Sequence, residues 1–177
     1  PFLGLAAYEA ADADRYFGRA GEVDECLQRL RATGVLAIVG PSGSGKSSLL
    51  RAGITPALQR NGHRVELITP GAHPLRALES IDTRRTGPLA IIVDQCEELV
   101  TQCHDADERR RFLDTLVDRG THGPLLFGLR ADRLGDLTGH VVFAAVVERG
   151  LYLLTPMSTA QLREAIEAPG RQAGLLF

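Results

Sequence analysis

The sequence predicts an α/β fold: a parallel sheet with helices on both faces. Three observations carry this. Five short apolar runs alternate with stretches of helical periodicity. The first run leads into Gly40-Pro41-Ser42-Gly43-Ser44-Gly45-Lys46-Ser47, which fits G-x-x-x-x-G-K-[ST] at every position. The third run, Leu89-Ala90-Ile91-Ile92-Val93, ends in Asp94.

The elements follow in chain order. Glu22–Leu30 carries Val23, Leu27 and Leu30 at helical spacing, so a helix precedes the first strand. Val35–Val39 is continuously apolar, as a strand covered on both faces must be. After the glycine-rich loop, 47–52 reads as helix, with Ile54 and Leu58 extending its apolar face. Val65–Ile68 is the second strand and Leu89–Val93 the third. The stretch between Gly71 and Pro88 is short for a full crossover helix, which suggests missing residues there. Asp107–Arg119 buries Phe112, Leu113, Leu116 and Val117 on one stripe. Leu125–Leu129 and Leu151–Leu154 are the last two strands. Gly34, Gly87-Pro88, Gly123-Pro124 and Gly150 punctuate the chain before four of the five. Ser158-Thr159-Ala160-Gln161 is a capping box for a helix expected to end at Pro169.

Composition excludes several functions. The chain has 177 residues and a formal net charge of -2, so one domain with a substantial core is expected and no polyanion-binding surface. Arg109-Arg110-Arg111 reads as the solvated face of a helix. No apolar run is long enough to span a bilayer, and no signal peptide is legible. The expected setting is the bacterial cytoplasm. Cys26, Cys96 and Cys103 are odd in number and lack metal-ligand pairing, so reduced, partly buried thiols are expected. The whole of 1–177 reads as one nucleotide-binding domain excised from a longer chain.

The loop residues specify the chemistry. Lys46 is the chain's single lysine; every other basic residue is arginine. A compact ammonium suits the β- and γ-phosphates of a nucleotide. Gly43 and Gly45 permit backbone conformations a Cβ would block. The opening turn of the helix favours an anion. Ser47 is placed to ligate Mg²⁺, and Asp94 at a strand end to hold the same ion through water. Pro41, Ser42, Ser44 and Ser48 complete the cradle, shaping the loop rather than ligating. Glu97 and Glu98 follow Asp94, and either could orient or deprotonate the attacking water. Arg130, at the end of the fourth strand, is placed to sense a γ-phosphate, with an ion pair to Asp132 or Asp94 as the alternative. No N-K-x-D guanine motif is possible, since the one lysine is in the loop, so ATP and ADP are the expected ligands.

These motifs resemble the STAND-type P-loop NTPases, specifically the bacterial novel STAND NTPase 1 group, and the resemblance runs the length of the chain. Phe2-Leu3-Gly4-Leu5 and Tyr16-Phe17-Gly18-Arg19 resemble its opening motif. Gly40–Ser48 is similar to its Walker A loop and 70–74 to its Pro-Gly segment. Residues 93–99 resemble its Walker B segment, 129–132 its sensor segment and 166–174 its closing motif. The resemblance implies a five-stranded parallel sheet of order 5-1-4-3-2. It implies a switch that rests with ADP and assembles with ATP as a homo-oligomer, between fused effector and repeat-sensor domains. Gly18 and Arg19 would lie on the adenine side of the pocket. Gln95 stands where many ATPases of the wider class carry a catalytic Glu, which implies slow hydrolysis through Glu97 or Glu98. Two other readings stay open: a scaffold that holds nucleotide without hydrolysis, and a P-loop kinase for a small acceptor using Arg130 and Arg133.

Overall fold

The computed structural model describes residues 6–82 and 86–174. The Phe2-Leu3-Gly4-Leu5 motif lies outside the described residues, as do residues 83–85 of the crossover between the second and third strands. A short 3-10 turn, Ala10–Arg15, precedes α1 (Ala20–Thr33). The strands are β1 (Val35–Gly40), β2 (Arg64–Ile68), β3 (Leu89–Val93), β4 (Leu125–Arg130) and β5 (Leu151–Leu153). They form one sheet of order β2-β3-β4-β1-β5, parallel at every pairing. This is the order 5-1-4-3-2 read from the other edge.

Alternation along each strand divides the core in two. Val35, Ala37, Val39, Ile91, Val93, Leu125, Phe127 and Leu129 face one side and pack with Phe112, Leu116, Phe143 and Val147. Leu36, Ile38, Ala90, Ile92 and Leu126 face the other and pack with Leu27, Leu30, Leu49, Leu50, Ile54 and Leu58. The central strands β1, β3 and β4 are covered on both faces, which is why they read as unbroken apolar runs; the edge strand β2 is half-buried and carries Arg64 and Glu66. The helices supplying these layers are α4 (Pro74–Glu79), α6 (Ala106–Arg119) and α8 (Val141–Gly150) on the first side. On the second side are α1 and the rod after the loop. The helix α8 has no counterpart in the sequence reading. Four of its residues, Val141, Val142, Val146 and Val147, are β-branched, and this mimics a strand.

The rod at 46–60 is α2 (Lys46–Ser48), a π-helical segment (Leu49–Ile54) and α3 (Thr55–Arg60), without a break in right-handed backbone. Pro56 explains the wider turn. It has no N–H to offer Ala52, so the ladder shifts: the Thr55 N–H donates to the Leu50 carbonyl, and so does its Oγ1 at 2.9 Å. The crossover after β2 is carried by the six-residue helix α4. Two one-turn helices, α5 (Glu98–Thr101) and α7 (Leu134–Leu137), follow β3 and β4. The last helix, α9 (Thr159–Gln172), opens on the expected capping box, with Ser158 Oγ accepting from the Gln161 N–H. It runs through Pro169 rather than ending there. Ala168, Pro169 and Gly170 are buried, so packing carries the helix past the bond that proline cannot make.

Candidate functional site

The carboxyl ends of β1, β3, β4 and β5 bring the motifs together. In this sheet order the chain leaves β1 toward β2 on one side, and places β5 on the other. A crevice forms where connections diverge, and ligands of open parallel sheets bind there.

The loop after β1 turns through Gly43 (φ +74°) and Gly45 (φ +91°), a left-handed region costly for any residue with a Cβ. Gly45 is the residue before α2, so this conformation aims the rod's first, internally unpartnered N–H groups along the loop. Lys46 is buried, and its Nζ donates to the carbonyls of Gly40 at 3.0 Å and Pro41 at 2.7 Å. Burial holds its pKa below the usual lysine value, opposed by the negative charges of Glu97 and Asp94. The ammonium therefore lies inside the loop, among carboxylates, where phosphate oxygens are better acceptors than carbonyls.

Asp94 is 1% exposed and fully engaged. Oδ1 accepts from Ser47 Oγ at 3.0 Å and from the Gln95 N–H at 2.9 Å. Oδ2 accepts from Arg51 Nε at 3.1 Å and from a terminal guanidinium nitrogen at 2.9 Å. Ser47 and Asp94 thus present two hard oxygens side by side, a donor set suited to Mg²⁺, which takes few protein ligands and keeps its waters. Among the described residues no group of three or more His, Cys, Asp or Glu could hold a metal by itself. Cys26, Cys96 and Cys103 are free and buried. Burial pushes the Cys26 thiol up to about 12 and raises Cys96 as well, so neither is a ready thiolate.

The two glutamates differ. Glu98 Oε2 accepts from the Gly71 N–H at 3.0 Å, tying the segment after β2 to α5. Glu97 Oε2 is buried and makes no hydrogen bond among the described residues, while its charge acts on Lys46. Gln95 adopts φ +53°, the one positive value among described non-glycine residues. Arg130 stands at the end of β4, but its guanidinium forms a two-bond pair with Asp132, at 3.1 and 2.8 Å. Arg133 reaches Asp136 at 3.4 Å. Of the arginine triplet, Arg110 pairs with Asp107, Arg111 meets the Asp107 carbonyl, and Arg109 instead reaches inward to the Cys103 carbonyl at 2.6 Å.

Arg19 sits against the loop and Gly18 against α9. A Cβ on Gly18 would lie 2.5 Å from the Gln161 carbonyl, so only glycine admits this approach to α9. Arg19 is 3% exposed. It donates to the carbonyls of Ser44 at 3.3 Å and Thr155 at 3.0 Å, and to Glu22 Oε1 at 2.6 Å. Arg19 thus braces the loop from behind. Burial raises the Glu22 carboxyl pKa, but hydrogen bonds from Arg19, its own backbone and Gln161 outweigh this and hold it below its usual value. A lowered folded pKa contributes stability above the unfolded value, about 4.3. That contribution is lost as pH falls through the folded one. Glu22→Gln should therefore flatten the acid side of a Tm-against-pH curve and leave its slope near neutrality unchanged.

Two cavities adjoin this framework. One of about 460 Å³ is walled by residues 41–45 with Met157 and Leu162. Another of about 140 Å³ lies between Tyr8, Tyr16, Phe17, Gly45, Ser48 and Met157. A third, of about 160 Å³, is lined by Leu89, Ile91, Pro124 and Leu125 at the strands' amino ends, away from the motifs. The sequence reading missed Arg51 and Tyr8. Arg51 follows Ser47 by one helical turn, a spacing that could have found it. The Tyr8 N–H donates to Ser48 Oγ at 3.2 Å, and nothing in the pattern of residues 6–16 announces that contact.

Solved structures show the same architecture. The chain resembles the closed state of Hsp104 with ATPγS and FITC casein (TM-score 0.63, 14% identity, 97% of this chain, 33% of that one). It also resembles a Walker-type ATPase of Pyrococcus abyssi (0.58, 16%, 92% and 60%). A third is the extended Hsp104–casein complex of S. cerevisiae (0.53, 12%, 93% and 32%). The chain thus spans between about a third and three fifths of these proteins' lengths. Such identities speak for the fold, that of P-loop ATPases. No curated protein matches the chain. No helix among the described residues is long and apolar enough to cross a membrane. The family model described as Novel STAND NTPase 1 matches residues 1–177 from end to end; this nucleotide-binding domain belongs to that family.

Proposed function

We propose that this chain is the Mg²⁺-dependent ATP-binding switch of a longer STAND-type signalling protein, with slow hydrolysis that resets it. The observation that carries the reading is the convergence of Lys46, the Ser47–Asp94 pair and Glu97, whose Oε2 is buried, at one end of the sheet. Lys46 would exchange its loop carbonyls for phosphate oxygens. The cavity bounded by Tyr16, Phe17 and Gly45 offers an apolar berth of aromatic character for the base, beside Gly18 and Arg19. Ser47 and Asp94 would hold Mg²⁺, which when bound neutralises charge on the phosphates. Glu97, rather than the already bonded Glu98, is the favoured base for water. Switching requires ATP and ADP to bind the two arrangements of the whole protein unequally. A homo-oligomeric ATP state and fused effector and sensor domains belong to the same proposal.

Single-turnover hydrolysis tests it. Glu97→Gln should keep ATP bound and slow hydrolysis by roughly 100-fold or more. Glu98→Gln should leave the rate within a few fold and loosen the segment at Gly71. Equal effects would refute the assignment. A second reading, a domain that holds nucleotide without hydrolysing it, draws on Gln95. Its strained backbone beside Asp94 carries an amide where a carboxylate base would serve. No hydrolysis by wild type in a single turnover would favour it. A phosphorylated acceptor in place of free phosphate would mark a kinase.

A further inference from the structure

Arg51 is bonded to two carboxylates that have no covalent or sequence proximity. On one side it grips Asp94 Oδ2 with two nitrogens, at 3.1 and 2.9 Å. On the other its remaining terminal nitrogen holds Glu9 Oε1 at 2.6 Å. The Asp94 side chain is 2% exposed and that of Glu9 58% exposed, so one partner is fixed in the interior and the other stands at the rim. Ser47 and Arg51 are one turn apart on the rod and divide Asp94 between them, the hydroxyl taking Oδ1 and the guanidinium Oδ2. A divalent cation drawn to that oxygen pair meets a fixed positive charge already bonded to the same carboxyl group. Like charges at this separation oppose one another strongly where water is scarce.

We propose that Arg51 is a positioning residue that sets the metal requirement of this site: it serves Asp94 as a built-in counter-ion, and gives up its two bonds to Asp94 while keeping Glu9 when Mg²⁺ claims Asp94. The inference rests on the reading that Ser47 and Asp94 hold the metal. Glu9 makes the release possible, because the guanidinium already holds a second carboxylate when it leaves the first. Glu9 also caps the 3-10 turn 10–15, and its neighbour Tyr8 donates to Ser48 Oγ in the rod's first turn. The tyrosine rings of Tyr8 and Tyr16 lie 5.9 Å apart beside the cavity assigned to the base. Metal arrival is thereby felt in the segment that walls the base pocket, through one side chain.

The two partners of Arg51 should move the metal requirement in opposite directions. Binding of a fluorescent ADP analogue to this chain is followed while MgCl₂ is titrated. Arg51→Met, which keeps the stem and removes the charge, should lower the MgCl₂ concentration at half-effect roughly tenfold, the scale of one charge-assisted bond removed from competition. Glu9→Gln should raise it several fold, because Arg51 then has only Asp94. Hydrogen exchange supplies a second readout. MgCl₂ with ADP should change protection at residues 8–16 in wild type and leave it unchanged in Arg51→Met. An unshifted or raised half-point in Arg51→Met, with its fold intact by circular dichroism, overturns the proposal. So does a lower half-point for Glu9→Gln. Asp94→Asn separates this from the parent reading. If it too leaves the half-point unmoved, the metal is not at Asp94; if it abolishes the MgCl₂ effect while Arg51→Met does nothing, only the Arg51 inference fails.

Discussion

Lys46→Met should lose at least ~100-fold in nucleotide affinity, since charge-assisted bonds to phosphate contribute roughly 1.5–3 kcal/mol each and the chain has no other lysine. The same substitution should leave melting of the free chain unchanged or raise it. Lys46 is buried and its pKa is depressed, foremost by lost hydration, so carrying its charge opposes folding at neutral pH. The sign follows from linkage. A lysine with a lowered folded pKa binds fewer protons in the native state, so stability rises with pH from that pKa up to the unfolded value near 10.4. An apolar stem of similar length removes the penalty. Calorimetric titration with ATP and a thermal melt, on the same sample, test both halves. Affinity equal to wild type would remove Lys46 from the site. A drop in Tm of the free chain would mean its bonds to Gly40 and Pro41 outweigh its desolvation.

Phe127→Ala should be the most damaging substitution for stability. Phe127 and Phe143 are both fully buried and meet edge to face, with centroids 5.0 Å apart and planes at 83°. Phe127 lies on β4, between β1 and β3, so no mobile element can move in to fill the space. Truncating a buried phenylalanine costs about 3–5 kcal/mol. A domain of this size has roughly 5–15 kcal/mol in total. A fall in Tm of roughly 6–20 °C is expected. Phe143→Leu keeps most of the volume and loses the ring geometry, and should cost about 0.5–1.5 kcal/mol. Denaturant unfolding distinguishes the two. Similar small losses from both would show that α8 closes over the gap.

All five strands were legible within a residue or so at each end: in β1, β3 and β4 because two-sided burial leaves no polar residue to blur the run, and in the edge strands β2 and β5 because short apolar stretches follow turn residues. The order of the strands was not legible from the runs themselves; it came with the motif resemblance. The missed helix, α8, shows the limit of periodicity: Val141, Val142, Val146 and Val147 satisfy strand preference, and the packing of Phe143, Val146 and Val147 on the sheet decides the matter. Likewise Pro169 reads as a stop, and burial of its neighbours overrides it. In the site, residues defined by short motifs lie together: Ser47 and Asp94 meet across a span of 47 positions, and the Asp94 charge acts on Lys46. What spacing could not decide was direction. Glu97 and Glu98 are adjacent in sequence, yet one side chain turns to the Gly71 amide and the other inward. Arg130 reaches its expected strand end, but Asp132 claims its guanidinium.

Arg19 gives the phosphate loop a mechanical connection to the far end of the chain. Its guanidinium joins the Ser44 and Thr155 carbonyls, Gln161 is hydrogen-bonded to the same Glu22, and Gly18 abuts the backbone of α9 with no slack. The loop after β1 and α9 are thus tied through one guanidinium and one carboxylate, so neither can shift without straining the same small set of bonds.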